Sequence, residues 1–209
     1  MKTFFVIFIG IILICSACEN PAENKTKAVT TEANSTPIAK QTKGEALKFS
    51  GADSKVDFVG SKVTGKEAGR FQTFAGTIDL VNNKPEESQV SVEIEMGSVV
   101  TDSKGLDEHL KNADFFEVEK YPKAAFISSK ITPDKEANTF SVTGELDFHG
   151  VKKSITFPAK IIVSEKDVTV ESEFFINRRD FNVNYAGRAN DLIRDEVVLK
   201  LSIKAGRKK

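Results

Sequence analysis

The run from Phe140 to Val163, FSVTGELDFHGVKKSITFPAKIIV, places an apolar residue at almost every second position, first as Phe140, Val142, Leu146 and Phe148, then as Ile155, Phe157, Ala159, Ile161 and Val163. Side chains on a strand point to opposite faces with period two, so each half reads as a strand with one greasy face and one wet face. Gly144 interrupts the first apolar series, and His149-Gly150 falls between the halves as a hairpin turn. Two further runs continue the pattern, with Val168, Val170, Phe174 and Ile176 in one and Val197, Leu199, Leu201 and Ile203 in the other. Four such runs make an antiparallel sheet with one face in water. Helical segments able to cover the other face are nearly absent, so the sheet is expected to cover itself, as a barrel or a sandwich.

Upstream, Val56, Phe58 and Gly60 share one phase. So do Phe74, Gly76, Ile78 and Leu80, and so do Val90, Val92, Ile94 and Met96, with Asn82-Asn83-Lys84-Pro85 as a turn between the last two. A strand from Ala124 to Ile131 ends at Pro133-Asp134, because proline cannot continue a ladder. The total is about eight strands, the number at which a closed barrel holds either its own side chains or one small ligand. The alternation breaks only from Asp102 to Phe116. There Leu106, Leu110 and Ala113 follow helical spacing behind Asp102 or Ser103 as cap, which predicts one short inserted helix.

The N-terminus reads as an address. Lys2, the apolar stretch from Phe4 to Ile14 and Cys15-Ser16-Ala17-Cys18 form a charged start, a hydrophobic segment and a small-residue cleavage site, and the segment is shorter than the about 20 residues needed to span a bilayer. Small residues before a cysteine resemble a lipoprotein lipobox. Residues 1–17 are therefore expected to be a signal peptide and Cys18 the acylated anchor in a bacterial envelope, with Glu19 pointing away from the inner membrane. Residues 18–45 are rich in Asn, Thr, Ser, Lys, Glu and Pro and carry no aromatic residue, so a flexible polar linker is expected there, with one folded domain over 46–206.

Composition removes several classes of function. The chain has 30 basic and 30 acidic residues, a balance that gives no long-range pull toward nucleic acid. Two cysteines and two distant histidines, His109 and His149, do not make a metal site. Asp107, Glu108, His109 and Asp114 gather near the helix, but no nucleophile motif accompanies them, so neither an enzyme nor a cofactor is expected.

Several stretches carry a family resemblance. They are Gly69-Arg70-Phe71-Gln72-Thr73-Phe74-Ala75-Gly76, His109-Leu110-Lys111-Asn112-Ala113-Asp114-Phe115-Phe116 running on to Tyr121-Pro122-Lys123-Ala124-Ala125-Phe126, Gly144-Glu145-Leu146-Asp147-Phe148-His149-Gly150-Val151, and Asn177-Arg178-Arg179-Asp180-Phe181. In this order, over roughly 55–203, they resemble the YceI-like family of lipocalin-like barrels. The resemblance implies an all-β antiparallel barrel whose interior binds a polyisoprenoid or similar long-chain lipid.

Of sixteen phenylalanines, thirteen follow the expected leader and can supply apolar wall, and there is no tryptophan. Phe58, Phe71, Phe74, Ile78, Phe115, Phe126, Val142, Leu146, Phe148, Phe157, Phe174 and Ile176 are the candidate lining. The run Arg178-Arg179-Asp180 reads first as a buried Arg–Asp brace and second as a site where Arg179 meets a polar head at the mouth, and His149 reads first as a turn residue and second as a ligand contact. Burying ten methylene-sized units at about 0.8 kcal/mol each gives roughly 8 kcal/mol before association costs, which corresponds to about micromolar binding. The competing expectation is a tethered interaction or stress-related module whose barrel is filled by its own side chains.

Overall fold

The structure is a computed structural model and describes residues 20–41 and 43–207. The expected leader with its Cys18 anchor, and Glu19, Thr42, Lys208 and Lys209, lie outside the described residues. Fifteen strands follow in chain order: β1 Thr26–Lys27, β2 Val29–Glu32, β3 Glu45–Ser50, β4 Lys55–Lys62, β5 Gly65–Phe71, β6 Phe74–Leu80, β7 Gln89–Glu95, β8 Val99–Thr101, β9 Lys123–Pro133, β10 Thr139–Phe148, β11 Val151–Val163, β12 Asp167–Asn177, β13 Gly187–Arg188, β14 Asp191–Leu192 and β15 Glu196–Gly206. Among the described residues one α-helix, α1 at Lys104–Lys111, interrupts them.

Thirteen strands share one sheet, with the path β3-β6-β7-β9-β10-β11-β12-β15-β4-β5-β8, while β13 and β14 make a separate small hairpin. The sheet curls until β3 lies beside the C-terminal end of β15. There Arg207 Nε sits 3.2 Å from Glu45, and the Lys204 amide donates to Ser54 Oγ at 3.0 Å. Inward residues of nearly every strand meet in a single core that includes Leu47, Phe58, Phe74, Val99, Phe157, Phe174 and Ile203.

The all-β class and the single helix match expectation, but the strand count exceeds eight. The additional sheet members are β1, β2, β3, β5 and β8. In β5 the sequence GKEAGRF offers no apolar alternation, and β8 is only three residues long. Their pairing is imposed by neighbours rather than by pattern.

Within β10, Gly144 is explained by close approach. A Cβ there would lie 2.4 Å from the Ile127 carbonyl oxygen and 2.5 Å from the Phe126 ring, and the β9–β10 register shifts between Thr143 and Gly144. The β10–β11 turn is a two-residue connection with φ of 51° at His149 and 73° at Gly150, the left-handed pair that suits strand twist in a tight hairpin. In α1, Ser103 Oγ accepts from the Leu106 amide, as its capping role predicts. The helix stops at Lys111, so Ala113 lies beyond it, and Leu110 is its buried residue.

The expected flexible linker is corrected over residues 26–32, which are built into the barrel wall. Strand β11 pairs with β12 only where Lys160–Val163 meet Val168–Glu171. Beyond that ladder the two strands separate, and the N-terminal strap fills the gap. Strand β1 runs parallel to β12 with Thr26 opposite Phe174, and β2 runs antiparallel to β11 from Val29 opposite Thr156 to Glu32 opposite Lys153. The Ala28 amide donates to the Phe175 carbonyl at 2.9 Å, and Ala28 is 1% exposed. Composition misled here because backbone pairing needs no large side chain, and the apolar surface that the strap seals belongs to β11 and β12.

Candidate ligand cavity

An elongated apolar cavity of about 270 Å³ runs through the barrel. On β11 alone Ile155, Phe157, Ile161 and Val163 all line it, so it borders eight residue steps, or about 26 Å of strand at about 3.3 Å each. So small a volume over that length is a slot rather than a chamber. The volume equals roughly nine liquid waters at about 30 Å³ each, and it sits just below the usual range for small-molecule sites.

Eleven of the twelve apolar candidates border this cavity. Phe58, Phe71 and Ile78 face the cavity from β4–β6, Phe126, Val142, Leu146 and Phe148 from β9 and β10, and Phe157, Phe174 and Ile176 from β11 and β12, with Phe115 beside the helix. Phe157 and Phe174 stack across the seam, with centroids 4.3 Å apart and planes at 10°.

Three candidates stand elsewhere. Phe74 is buried at 4% exposure but packs in the wall without reaching the cavity. His149 is held in its turn, where Nδ1 lies 3.1 Å from the Phe181 carbonyl oxygen, the ring meets Tyr121 at 4.8 Å, and Nε2 is 3.8 Å from Glu117. Arg179 points outward, half exposed, with Nε 2.6 Å from Asp195.

Arg178, not Arg179, is the arginine at the cavity. It is 4% exposed, and its guanidinium donates to the carbonyls of Arg194, Val183 and Ile193 and to Asp195. Burial lowers its pKa below the ordinary value, and Asp195 opposes that shift. With its donors committed in this way, Arg178 braces one end of the barrel rather than reaching for a ligand. The expected partner, Asp180, is replaced by Asp195, which arrives from a distant loop that sequence spacing does not reveal.

Sequence reading passed over much of the opposite wall. Leu199, Leu201 and Ile203 of β15 line the cavity, and so does Phe116, whose ring lies 6.5, 5.9 and 5.9 Å from those of Phe58, Phe71 and Phe148. The alternation in β15 was a usable signal. Phe116 follows the helix, where no periodicity points inward.

A second pocket of about 410 Å³ adjoins the first at the helix end and shares Phe58, Gly60, Leu110, Phe115 and Ile193 with it. This vestibule is more polar. His109 Nε2 lies 2.8 Å from Asp114, and the His109 ring packs against Phe115 and Tyr185 at 5.0 and 5.3 Å. Lys62 pairs with Asp191 at 3.3 Å, and Thr64 donates to the same carboxylate, whose pKa falls chiefly through that hydrogen bond. Asp107 and Glu108 serve the helix, the first accepting from Thr101 and the second pairing with Lys111. Among the described residues no group of three or more His, Cys, Asp or Glu side chains is placed to hold a metal.

Fold and cavity define the class as a hollow, lipocalin-like antiparallel β-barrel with apolar walls. The chain belongs to the YceI-like family, whose domain profile matches residues 47–205. It is 40% identical over 101 residues to a UPF0312 protein of Pseudomonas putida, covering 47% of this chain and 51% of that protein. It is 35% identical over 121 residues to Protein YceI of Escherichia coli, covering 55% and 62%. The chain thus spans about half to three fifths of the length of these relatives. BcnA of Burkholderia cenocepacia superposes with a TM-score of 0.67 at 26% identity, covering 74% of this chain and 98% of BcnA. A polyisoprenoid binding domain from Saccharophagus degradans has a TM-score of 0.65 at 20% identity, covering 79% of this chain and all of that one, and this likeness concerns the fold.

Proposed function

We propose that this protein binds a single linear long-chain lipid of the isoprenoid kind in the barrel slot and sequesters or ferries it in a bacterial envelope. The observation that carries the reading is the cavity itself, narrow and with apolar walls that reach along about 26 Å of β11. A water-filled channel would need polar partners for its waters, and these walls are built from Phe, Val, Ile and Leu. Such a slot selects by shape: a flexible hydrocarbon tail enters and a fused ring system does not. Transfer of roughly nine methylene-sized units at about 0.8 kcal/mol each supplies about 7 kcal/mol before association costs, so micromolar binding is the upper limit of what the tail alone provides. The polar end of the lipid sits in the vestibule beside His109 and Tyr185, where hydrogen-bonding groups meet solvent. A polyisoprenoid-binding domain of the same fold supports the chemical class of the ligand. Acylation at Cys18 would tether the barrel to a membrane, most simply on the periplasmic face of the outer membrane, since several acyl chains hold where one does not.

The test is native mass spectrometry of the protein with farnesol, a sterol and a saturated C16 alcohol as probes. One-to-one complexes with the linear alcohols and none with the sterol are expected. Failure of every linear chain to bind at tens of micromolar would leave the filled-barrel module as the surviving reading.

A further inference from the structure

We propose that the N-terminal strap is a removable stave of the barrel and that the gap between β11 and β12 beneath it is the entry site for the lipid tail. The inference rests on the lipid-binding reading and names how that cavity is filled. Four observations converge on this place. The direct β11–β12 backbone ladder ends at Lys160 and Glu171 although both strands continue; above it Ser172 Oγ donates to the Pro158 carbonyl and Phe157 stacks on Phe174, and the backbone bonding of the wall passes to residues 26–32. The strap lies outside residues 47–205, the span of the family domain, so it is an element added to that domain. It is built to be held lightly: its residues are mostly polar, its ladders cover two and four residues, and Val29 faces solvent. Thr30 Oγ1 is buried there with no hydrogen-bond partner, an unmet group that favours release. Finally, the residues directly behind the strap are those of the cavity, with Ile155 and Phe157 on one edge, Phe174 and Ile176 on the other, and the Phe157–Phe174 stack across the opening.

Lifting the strap therefore parts the wall along a slit whose inner lips are apolar, and a hydrocarbon chain slides in sideways along its length. Two ion pairs latch the strap from outside, Lys25 with Glu173 at 2.6 Å and Glu32 with Lys153 at 2.5 Å. Sideways entry also removes a size conflict, because a slot of about 270 Å³ admits a tail longer than about ten carbons only if the wall yields.

The experiment follows uptake and release of dansyl-labelled farnesol by the full chain in stopped flow, with hydrogen exchange of residues 26–32 measured in parallel. Ala28→Asp puts a carboxylate where only a methyl is buried and frees the strap. A charge-reversed latch, Lys25→Glu with Glu32→Lys, loosens it without changing net charge. Thr30→Val removes the unmet hydroxyl and tightens it. Both loosening variants are expected to raise the association and dissociation rates by about tenfold, leaving the dissociation constant within about threefold, and Thr30→Val is expected to lower both rates. Unchanged rates in Ala28→Asp, with its strap amides exchanging freely, overturn the portal while leaving lipid binding intact. If the parent chain takes up no farnesol at all, the lipid reading itself fails and the portal falls with it.

Discussion

Strand β11 has two flanks, and they are held in opposite ways. Toward β10 it makes a continuous ten-pair ladder from Thr139 opposite Lys160 to Phe148 opposite Val151, closed by a two-residue turn. Toward β12 it makes four pairs and then hands its hydrogen bonds to a segment more than a hundred residues distant in sequence. The first flank is local and costs little loop entropy to form. The second depends on a polar strap that adds backbone hydrogen bonds and almost no apolar burial of its own. Resistance to opening is thus a property of each seam, set by what closes it.

The sharpest test of this contrast is Phe174→Ala. Phe174 is 1% exposed and stacked on Phe157, so its loss empties the inner side of the seam and is expected to cost about 4 kcal/mol by urea denaturation. Gly144→Ala strains the locally closed flank, where the new methyl would press on the Ile127 carbonyl and the Phe126 ring. A loss of about 2 kcal/mol is expected, spread over the whole barrel rather than confined to one edge. Ala28→Asp should cost no more than about 1 kcal/mol in global stability, because the strap detaches before the charge is forced into the core. A global loss as large as that of Phe174→Ala would show that strap and barrel unfold as one unit.

The smallest effect is acid sensitivity of the strap. Hydrogen bonds from Lys25 and then Lys200 hold the Glu173 pKa below its ordinary value of 4.5. A depressed carboxylate contributes stability that is complete above the unfolded pKa and is lost as pH falls through the folded one. Exchange at residues 26–32 should therefore accelerate as pH drops below about 4.5, once the intrinsic pH dependence of exchange is removed, and Lys25→Met should flatten that response. The pair is partly exposed, so the change is modest and shrinks further in high salt.

How far these two flanks could be read in advance follows the same division. The β10–β11 hairpin was plain in the sequence because alternation, turn residues and a single obstructing glycine all lie within one short run. The cavity wall was legible for the same reason wherever Phe, Val or Ile fell on a regular strand. Long-range geometry was not legible. Arg178 and Arg179 are adjacent and chemically identical, and only the 3₁₀ turn over Arg178–Phe181 sends the first inward to three carbonyls and the second out to water. The strap was hidden because composition reports whether a segment can bury itself, and this one instead adds strands to a sheet that others have built. His149 illustrates the converse case: its place in a two-residue turn fixed its conformation, and that conformation keeps it out of the cavity.

The parallel pairing of Thr26 with Phe174 also sets an order of assembly. An early strand docks against one made much later, across a chain separation of 148 for the Lys25–Glu173 contact. Contacts of such span form slowly, after the hairpins have condensed. During synthesis the first strand of the wall must wait without a partner, and it becomes the last piece to be fitted.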